Sequence, residues 1–281
     1  MTLNEIIISL EIGIIFGIIA MGIYISFRII DFPDLTCDGS FVLGAVCSSM
    51  IIRAGYSAYL ALVIALVSGL LAGFATGVLN AYFKINALLA GILVAFMLYS
   101  INLRIMGNIP NITLFGFSNI FSESNLLILA SIFVVVFFLV GYLLNSDFGL
   151  AIRSIGQNIR LAKNYGINTA KITIIGLMIS NSLIALGGGI FSQYQGFVDI
   201  GSGLGTIIVS LASVIIGEHI LPSKSIWLKL ASCLIGSIIY RLFISFALHS
   251  DYLGINSSDL NLVTGILIIT VMLIPRRKLT C

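Results

Sequence analysis

The sequence predicts an all-α membrane protein, a polytopic bundle of transmembrane helices, from three properties of the chain. Of its 281 residues, 59% are hydrophobic and only 9% are charged, whereas a soluble domain has about 25% charged residues. The mean hydropathy is +1.16. The charged residues lie between apolar runs, many of them near the roughly 20 residues that a crossing needs. An ordinary soluble globule is therefore excluded, and a formal net charge of +3 is too small to indicate binding to nucleic acid.

Nine apolar runs are predicted to span the bilayer, within a range of eight to ten, because the second, seventh and ninth are shorter than a full crossing. Together they make residues 1–281 a single transmembrane domain. The runs cover about residues 6–27, 39–52, 58–79, 87–103, 126–144, 172–191, 203–217, 226–248 and 260–274.

The basic residues predict the orientation of these spans. Eleven of the 14 Lys and Arg residues fall on one side of the bilayer, and the positive-inside rule makes that side cytoplasmic. The rule predicts an external N-terminus, a cytoplasmic loop over residues 145–171 and a cytoplasmic C-terminal tail. The basic residues on the outer side are Arg53, Arg104 and Arg241.

The two halves of the chain share a pattern. Phe-Pro-Asp at 32–34 follows the first span, Phe-Val-Asp at 197–199 follows the sixth, and each precedes a short run that contains glycine. Because an odd number of spans separates them, the copies would cross in opposite directions, as in the inverted repeats of transporters. We expect broken helices facing the centre of the molecule at 39–44 and 201–205, since irregular backbone at membrane depth must be buried or line a cavity.

Polar and glycine residues in or near these short runs are candidates for lining a solute path. Asp31, Asp34 and Asp38 have a competing interpretation, a solvated inner loop in which Asp38 caps the second span. Asn181 lies in the sixth span and could line a path or form a hydrogen bond between helices. The candidates are Asp38, Gly39, Ser40, Asn181, Gly201 and Gly203.

Glycines at intervals of four residues predict close helix contacts in the first and third spans. Such stripes allow either tight packing within one chain or a seam between two copies, and the sequence favours internal packing. The stripes are Gly13 and Gly17 in the first span and Gly69, Gly73 and Gly77 in the third.

Two charges, Glu11 and Arg241, lie inside apolar spans. An isolated charge in the bilayer is costly, so it pairs or reaches water. Both would lie nearer the outer surface, where they either form a pair or extend separately to the interface, and we favour the second.

The longest predicted cytoplasmic loop contains an amphipathic segment. Apolar residues with helical spacing form one narrow seam, and polar residues cover the other faces. This predicts a single helix from about Gly149 to Lys163, with Gly166 as its stop. The helix could lie on the inner lipid surface or dock in the groove of a partner, and so narrow a seam favours the groove. The seam consists of Ile152, Ile155, Ile159 and Ala162.

The same segment resembles the coupling loop of ATP-binding-cassette (ABC) importer permeases, specifically those of the branched-chain amino-acid and ribose permease family. The resemblance covers essentially the whole chain, including the glycines at 187–189. The stretch at 30–41 is similar to a narrower subgroup associated with amino-acid uptake, often with aromatic amino-acid binding proteins. Arg160 stands where the more general ABC permease motif has Glu, so that general motif is uninformative here. The matching loop residues are Gly149, Ala151, Arg153, Ser154, Leu161, Ala162, Gly166, Ile167 and Asn168.

The resemblance implies a division of labour. The chain has no Gly-x-x-x-x-Gly-Lys phosphate loop, so ATP hydrolysis by that chemistry would belong to a separate ATPase subunit. It further implies an extracytoplasmic substrate-binding protein, a permease homodimer in the bacterial inner membrane, and no cofactor or metal. The residues expected to couple to the ATPase are Gly149, Ile152, Arg153, Ile155, Gly156, Ile159, Leu161, Ala162 and Gly166.

Other functions fit the sequence less well. An intramembrane enzyme would need a buried Ser with His, or paired aspartates, in usable positions. A secondary transporter would carry coupling-ion carboxylates at mid-membrane, and Glu11 is the single, shallow candidate. The four cysteines show no spacing typical of a metal site. By resemblance the solute is an amino acid, with sugars and nucleosides as alternatives.

Overall fold

Long apolar helices make up most of the structure, a computed structural model that describes residues 3–117, 119–121, 125–248, 262, 264–266 and 269–270. Two short strands form an antiparallel ribbon. In chain order the elements are α1 (Leu3–Ile23), a π-helix (Tyr24–Ile29), α2 (Thr36–Arg53), α3 (Ala58–Ala81), α4 (Ala87–Ile105), β1 (Asn111–Thr113), α5 (Asn125–Asn145), α6 (Asp147–Gln157), α7 (Ile159–Asn164), α8 (Thr169–Gln195), β2 (Phe197–Asp199), a 3₁₀ turn (Ile200–Gly203), α9 (Thr206–Ile220) and α10 (Ile226–Leu248).

Seven segments within the described ranges are long and apolar enough to cross a membrane. They confirm the predicted all-α, multi-pass architecture. Helix α2, the second predicted span, has 18 residues and is buried along most of its length. The ninth predicted span, 260–274, lies largely outside the described residues. The seven are Leu3–Ile29, Ala58–Ala81, Ala87–Ile105, Asn125–Asn145, Thr169–Gln195, Ile200–Ile220 and Ile226–Ala247.

Helix α8 lies at the centre of the bundle, packed against α1, α2 and α3, while α1 also packs against α10. Both predicted glycine stripes lie in these contacts. A Cβ added along the α3 stripe would overlap backbone atoms of α8, and one added along the α1 stripe would crowd α10. Packing within one chain is therefore confirmed. The stripe residues are Gly13, Gly17, Gly69, Gly73 and Gly77.

The predicted helix break at 39–44 is wrong, because α2 is a continuous helix there. The irregular stretch comes earlier, at 30–35, where Asp31 has a φ of 59° and Pro33 has no N–H to donate. Gly44 serves close packing instead: a Cβ at this position would overlap the Ala185 backbone of α8. Glycine in an apolar run can either break a helix or allow two helices to pack closely, and Gly44 does the second.

The predicted break at 201–205 is confirmed. The chain leaves β2 through the 3₁₀ turn, and α9 begins after Gly205, whose φ of 85° is a left-handed conformation that glycine adopts readily. Strand β2 pairs with β1, so the ribbon fixes the direction in which this segment re-enters the bundle. Gly203 is buried against the Asp38 carbonyl of α2, so the segment faces the centre as expected.

The predicted single helix over 149–163 is wrong, because α6 and α7 are separate helices. Between them Asn158 is extended, with φ −159° and ψ 102°. Its side-chain oxygen accepts hydrogen bonds from Arg160 N and Leu161 N, both at 3.1 Å. An asparagine that caps a new helix ends the preceding one, because its side chain competes for backbone donors.

Candidate solute path and coupling segment

Two short helices, α2 and α9, begin inside the bundle and meet through Asp38. This residue lies in the first turn of α2. Its Oδ1 accepts a hydrogen bond from Ile207 N (2.9 Å) and its Oδ2 accepts one from Gly205 N (3.3 Å). The prediction that Asp38 caps its own helix is therefore wrong. It satisfies the first free donors of α9 instead, so the starts of the two helices are joined.

The start of α2 is capped from within the loop before it. Asp34 Oδ1 accepts a hydrogen bond from Thr36 N at 2.9 Å, and Asp34 is 0% exposed. The interpretation of Asp34 as part of a solvated loop is wrong. The loop turns back into the bundle, where its carboxyl group finds partners that water would otherwise supply.

Those partners come from the middle of α8. Asn181 Nδ2 donates to Asp34 Oδ2 at 2.7 Å, and Asn181 Oδ1 accepts from Ser40 Oγ at 2.7 Å. The Thr36 and Thr76 hydroxyls add a further bond of 2.7 Å to α3. This buried network holds the start of α2 at the level of the middle of α8, well inside the bundle.

A cavity of about 420 Å³ lies beside the meeting point, between α2, α4 and the segment that leads into α9. Its walls are mostly apolar, and Phe96 and Leu204 at its edge are 73% and 84% exposed in the single chain. An apolar pocket with a few polar groups is the usual form of a small-molecule site. The lining residues are Leu35, Asp38, Gly39, Val42, Ile92, Ala95, Phe96, Tyr99, Asn102, Ile200, Gly203 and Leu204.

The structure brings three of the six candidate path residues to this cavity: Asp38, Gly39 and Gly203. Ser40 and Asn181 bond to each other inside the buried network. Gly201 lies in the 3₁₀ turn, where its N–H donates to Asp199 Oδ1 at 2.7 Å.

Asn102, which lines the cavity from α4, is not among the path residues predicted from the sequence. The sequence does contain a signal for Asn102: a single amide in an otherwise apolar run is energetically costly unless it has a partner or a function. The aromatic residues Phe96 and Tyr99 carried no such signal, since aromatic side chains in a span ordinarily face lipid or other helices.

Three of the four residues of the predicted apolar seam face inward, and the fourth, Ile159, is 51% exposed. Ile152, Ile155 and Ala162 are 0–3% exposed, so their side chains lie inside the chain and do not form a docking surface, contrary to expectation. Gly149 and Gly156 permit the close approach, because a Cβ would overlap Leu144 and Ile29 backbone atoms respectively. The periodicity identified the buried face of the segment but not what buries it.

The outer face of this segment carries a different set of apolar residues. Leu161 is 52% exposed and Tyr165 is 78% exposed. Two lysines and an arginine lie nearby on or beside α7 and α8, so the face is both apolar and basic. We call it the α6–α7 face; it consists of Leu150, Ile159, Arg160, Leu161, Lys163, Tyr165 and Lys171, all exposed, with the expected coupling residue Gly166 at its edge.

The π-helix connects α6 to α9. Ile29, at its end, lies against Gly156 of α6. The preceding residue, Arg28, forms an ion pair with Glu218 near the end of α9. A displacement of α6 would therefore press on an element that is bonded to α9, the same helix whose other end is held by Asp38.

Glu11 and Arg241 do not form an ion pair with each other within the described part of the chain. Glu11 Oε2 accepts a hydrogen bond from Tyr194 OH at 2.7 Å, and the Arg241 guanidinium lies 4.1 Å from the Phe16 ring centroid. The two charges are not paired with each other, as we predicted. Glu11, however, is buried beside Tyr194 and does not extend to the interface. Partners inside the bundle compensate these charges.

Residues 6–273 match the family described as "Branched-chain amino acid transport system / permease component". The chain is 41% identical over 262 residues to the tyrosine transport system permease protein of Clostridioides difficile (strain R20291), covering 92% of this chain and 88% of that protein. It is 36% identical over 276 residues to an uncharacterised protein of Rickettsia prowazekii (strain Madrid E), covering 95% and 96%.

A more distant relative is the autoinducer 2 import system permease protein LsrC of Escherichia coli O9:H4 (strain HS), 30% identical over 179 residues, which cover 62% of this chain and 52% of that protein. No solved structure matches. The family resemblance predicted from the α6–α7 segment is confirmed, and so are the multi-pass architecture and the transport function. The chain belongs to the family of permease components of branched-chain amino acid transport systems.

Proposed function

We propose that this chain forms the solute path of an ATP-driven importer for an amino acid, with tyrosine and related aromatic amino acids as the first candidates. The observation that carries the proposal is the cavity beside the joined starts of α2 and α9, with Asp38 and aromatic side chains in its walls. The similarity to a tyrosine transport permease supports the choice of solute. The similarity to an autoinducer 2 import permease supports a different solute as the alternative, and sugars and nucleosides are the classes that the family resemblance offers.

The whole chain would act as one transmembrane domain with nine spans arranged as an inverted repeat. Matching contacts support the repeat: α1 packs against α10, and α8 packs against α3, so the first helix of each half contacts the third helix of the other. The two aspartates that follow these first helices also behave alike. Asp34 and Asp199 each accept a hydrogen bond from the N–H two residues on, at 2.9 and 2.7 Å. Short helices that start at mid-membrane are typical of such transporters.

Three partners complete the proposed assembly. The ATPase would dock on the α6–α7 face, and its closure would reach α9 through the π-helix and the Arg28–Glu218 pair. The binding protein would dock at the opposite end of the bundle, near the β-ribbon. A second copy would close the cavity, whose edge residues Phe96 and Leu204 are uncovered in one chain.

The orientation proposed from the basic residues has the α6–α7 face in the cytoplasm and the ribbon outside. Two variants in exposed positions test it: Gln157→Cys at the end of α6 and Phe115→Cys in the loop after β1. In intact cells a membrane-impermeant maleimide should label Phe115→Cys alone, with the wild-type chain as the blank. After permeabilisation the maleimide should also label Gln157→Cys. Labelling of Gln157→Cys in intact cells would instead show that the orientation is the opposite of the one proposed.

Reconstitution tests the function itself. The permease, with the ATPase and binding protein encoded beside its gene, is placed in proteoliposomes and supplied with labelled tyrosine. We expect uptake that requires ATP and is competed by phenylalanine but not by ribose. Uptake without the ATPase would instead identify a secondary transporter, and competition by ribose would identify a sugar-type permease.

A further inference from the structure

The cavity has an unusual balance of hydrogen-bonding groups. Asp38 is the only charged residue that lines it within the described part of the chain, and no basic side chain pairs with it there. Each carboxylate oxygen accepts one backbone N–H from the start of α9. A carboxylate offers about four acceptor positions, so Asp38, which is half-buried at the cavity wall, keeps acceptor capacity for a ligand.

A second acceptor comes from Asn102 on α4. Its Nδ2 donates to the Gly39 carbonyl oxygen at 3.3 Å, and this bond fixes which way the amide is oriented, because a flipped amide would place two acceptors together. Asn102 Oδ1 therefore remains an acceptor, and it has no hydrogen-bond partner among the described residues. Asn102 is only 1% exposed, and a buried acceptor without a partner is rare in folded proteins.

These two residues require the same kind of group from a ligand. A negative charge and a free carbonyl oxygen favour a group that is positively charged and has only donors, which is the chemistry of a primary ammonium. The rest of the wall is apolar or aromatic, with Phe96 and Tyr99 beside Asn102 on α4. A ring attached to the ammonium would lie against these side chains.

We infer that the cavity binds the ammonium group of the transported amino acid between Asp38 and Asn102, and that it thereby rejects analogues that lack the ammonium. The inference rests on the proposed function for the identity of the solute. The ammonium site itself can be measured on the permease alone, without ATPase or binding protein.

The test uses four ligands that share a phenyl ring: phenylalanine, 2-phenylethylamine, 3-phenylpropionate and 2-phenylethanol. The full-length permease in detergent is titrated with each, and the dissociation constant is obtained from thermal stabilisation or calorimetry. We expect phenylalanine and 2-phenylethylamine to bind at least tenfold more tightly than the two ligands without an ammonium. Equal binding of 2-phenylethanol would show a purely apolar pocket and overturn the inference.

Two variants link the site to its residues. Asp38→Asn keeps an acceptor for the start of α9 but removes the charge, and should raise the dissociation constant of 2-phenylethylamine at least tenfold. Asn102→Leu removes no helix cap and should raise the dissociation constant of 2-phenylethylamine several-fold. This variant therefore tests the ammonium site even if Asp38→Asn does not fold. Glu11→Gln, a buried carboxylate outside the cavity, is the matched control and should bind like the wild type.

The outcomes separate this inference from the proposed function. If ATP-dependent tyrosine uptake is observed but both cavity variants bind 2-phenylethylamine normally, the ammonium site is wrong and the importer stands. If the variants lose ammonium binding while the reconstituted system transports no amino acid, the site stands and the proposed solute is wrong.

Discussion

Replacing Asn181 with leucine should lower the free energy of unfolding by about 3 kcal/mol, because it leaves a fully buried carboxyl group with one oxygen unpartnered. Asn181 donates to Asp34 Oδ2 and accepts from Ser40 Oγ, both at 2.7 Å, and also donates to the Leu177 carbonyl oxygen at 3.0 Å, so one substitution removes three buried hydrogen bonds. The effect is measured by unfolding the purified permease in mixed micelles with increasing denaturing detergent.

Asn102→Leu is the matched control for this experiment. It makes the same change of residue type at another buried position, but it removes only one long hydrogen bond, 3.3 Å to the Gly39 carbonyl oxygen, and a side-chain oxygen that has no partner among the described residues. Its expected cost is less than about 1 kcal/mol, since replacing an unsatisfied polar group by an apolar one removes a burial penalty. Equal losses for the two variants would mean that the Asp34–Asn181 bond contributes nothing particular to stability.

Apolar run length predicted most of the helix positions well. The run at 58–79 corresponds to Ala58–Ala81, and the run at 226–248 corresponds to Ile226–Leu248. The agreement has a simple cause: a helix exposed to lipid must be apolar over its whole length, so its ends are marked by the first polar residues. The same rule failed for α2, because the network around Asp34 lets the helix begin with the polar residues Thr36 and Asp38.

Contacts across the chain could not be predicted from the sequence alone. Asp34 and Asn181 are 147 positions apart, and nothing in either local pattern indicates the other. The direction of the α6 seam is a similar case. Helical spacing of Ile152 and Ile155 shows that one face is covered, but the cover turned out to be the permease itself. Periodicity records burial, and only the tertiary structure shows what the face is buried against.

This correction moves the proposed ATPase contact to the opposite side of the segment and changes which variant tests it. Ala162 is 0% exposed, so Ala162→Asp would place a carboxylate inside the permease and should reduce its yield and stability, whatever the ATPase does. Leu161, the preceding residue, is 52% exposed. Leu161→Asp should leave the permease folded.

With the ATPase present, we expect Leu161→Asp combined with Tyr165→Asp to reduce co-purification of the ATPase and ATP-dependent uptake by at least about tenfold. Central apolar or aromatic residues of an interface contribute about 2 kcal/mol or more each, and about 1.4 kcal/mol is already a tenfold change in affinity. Tyr82→Asp is the matched control: Tyr82 is also exposed at the same end of the bundle, just after α3, but it lies outside the α6–α7 face. If the double variant retained the ATPase as the control does, the ATPase would have to dock elsewhere. The α6–α7 face would then be better explained as a basic, apolar surface that lies against the inner leaflet.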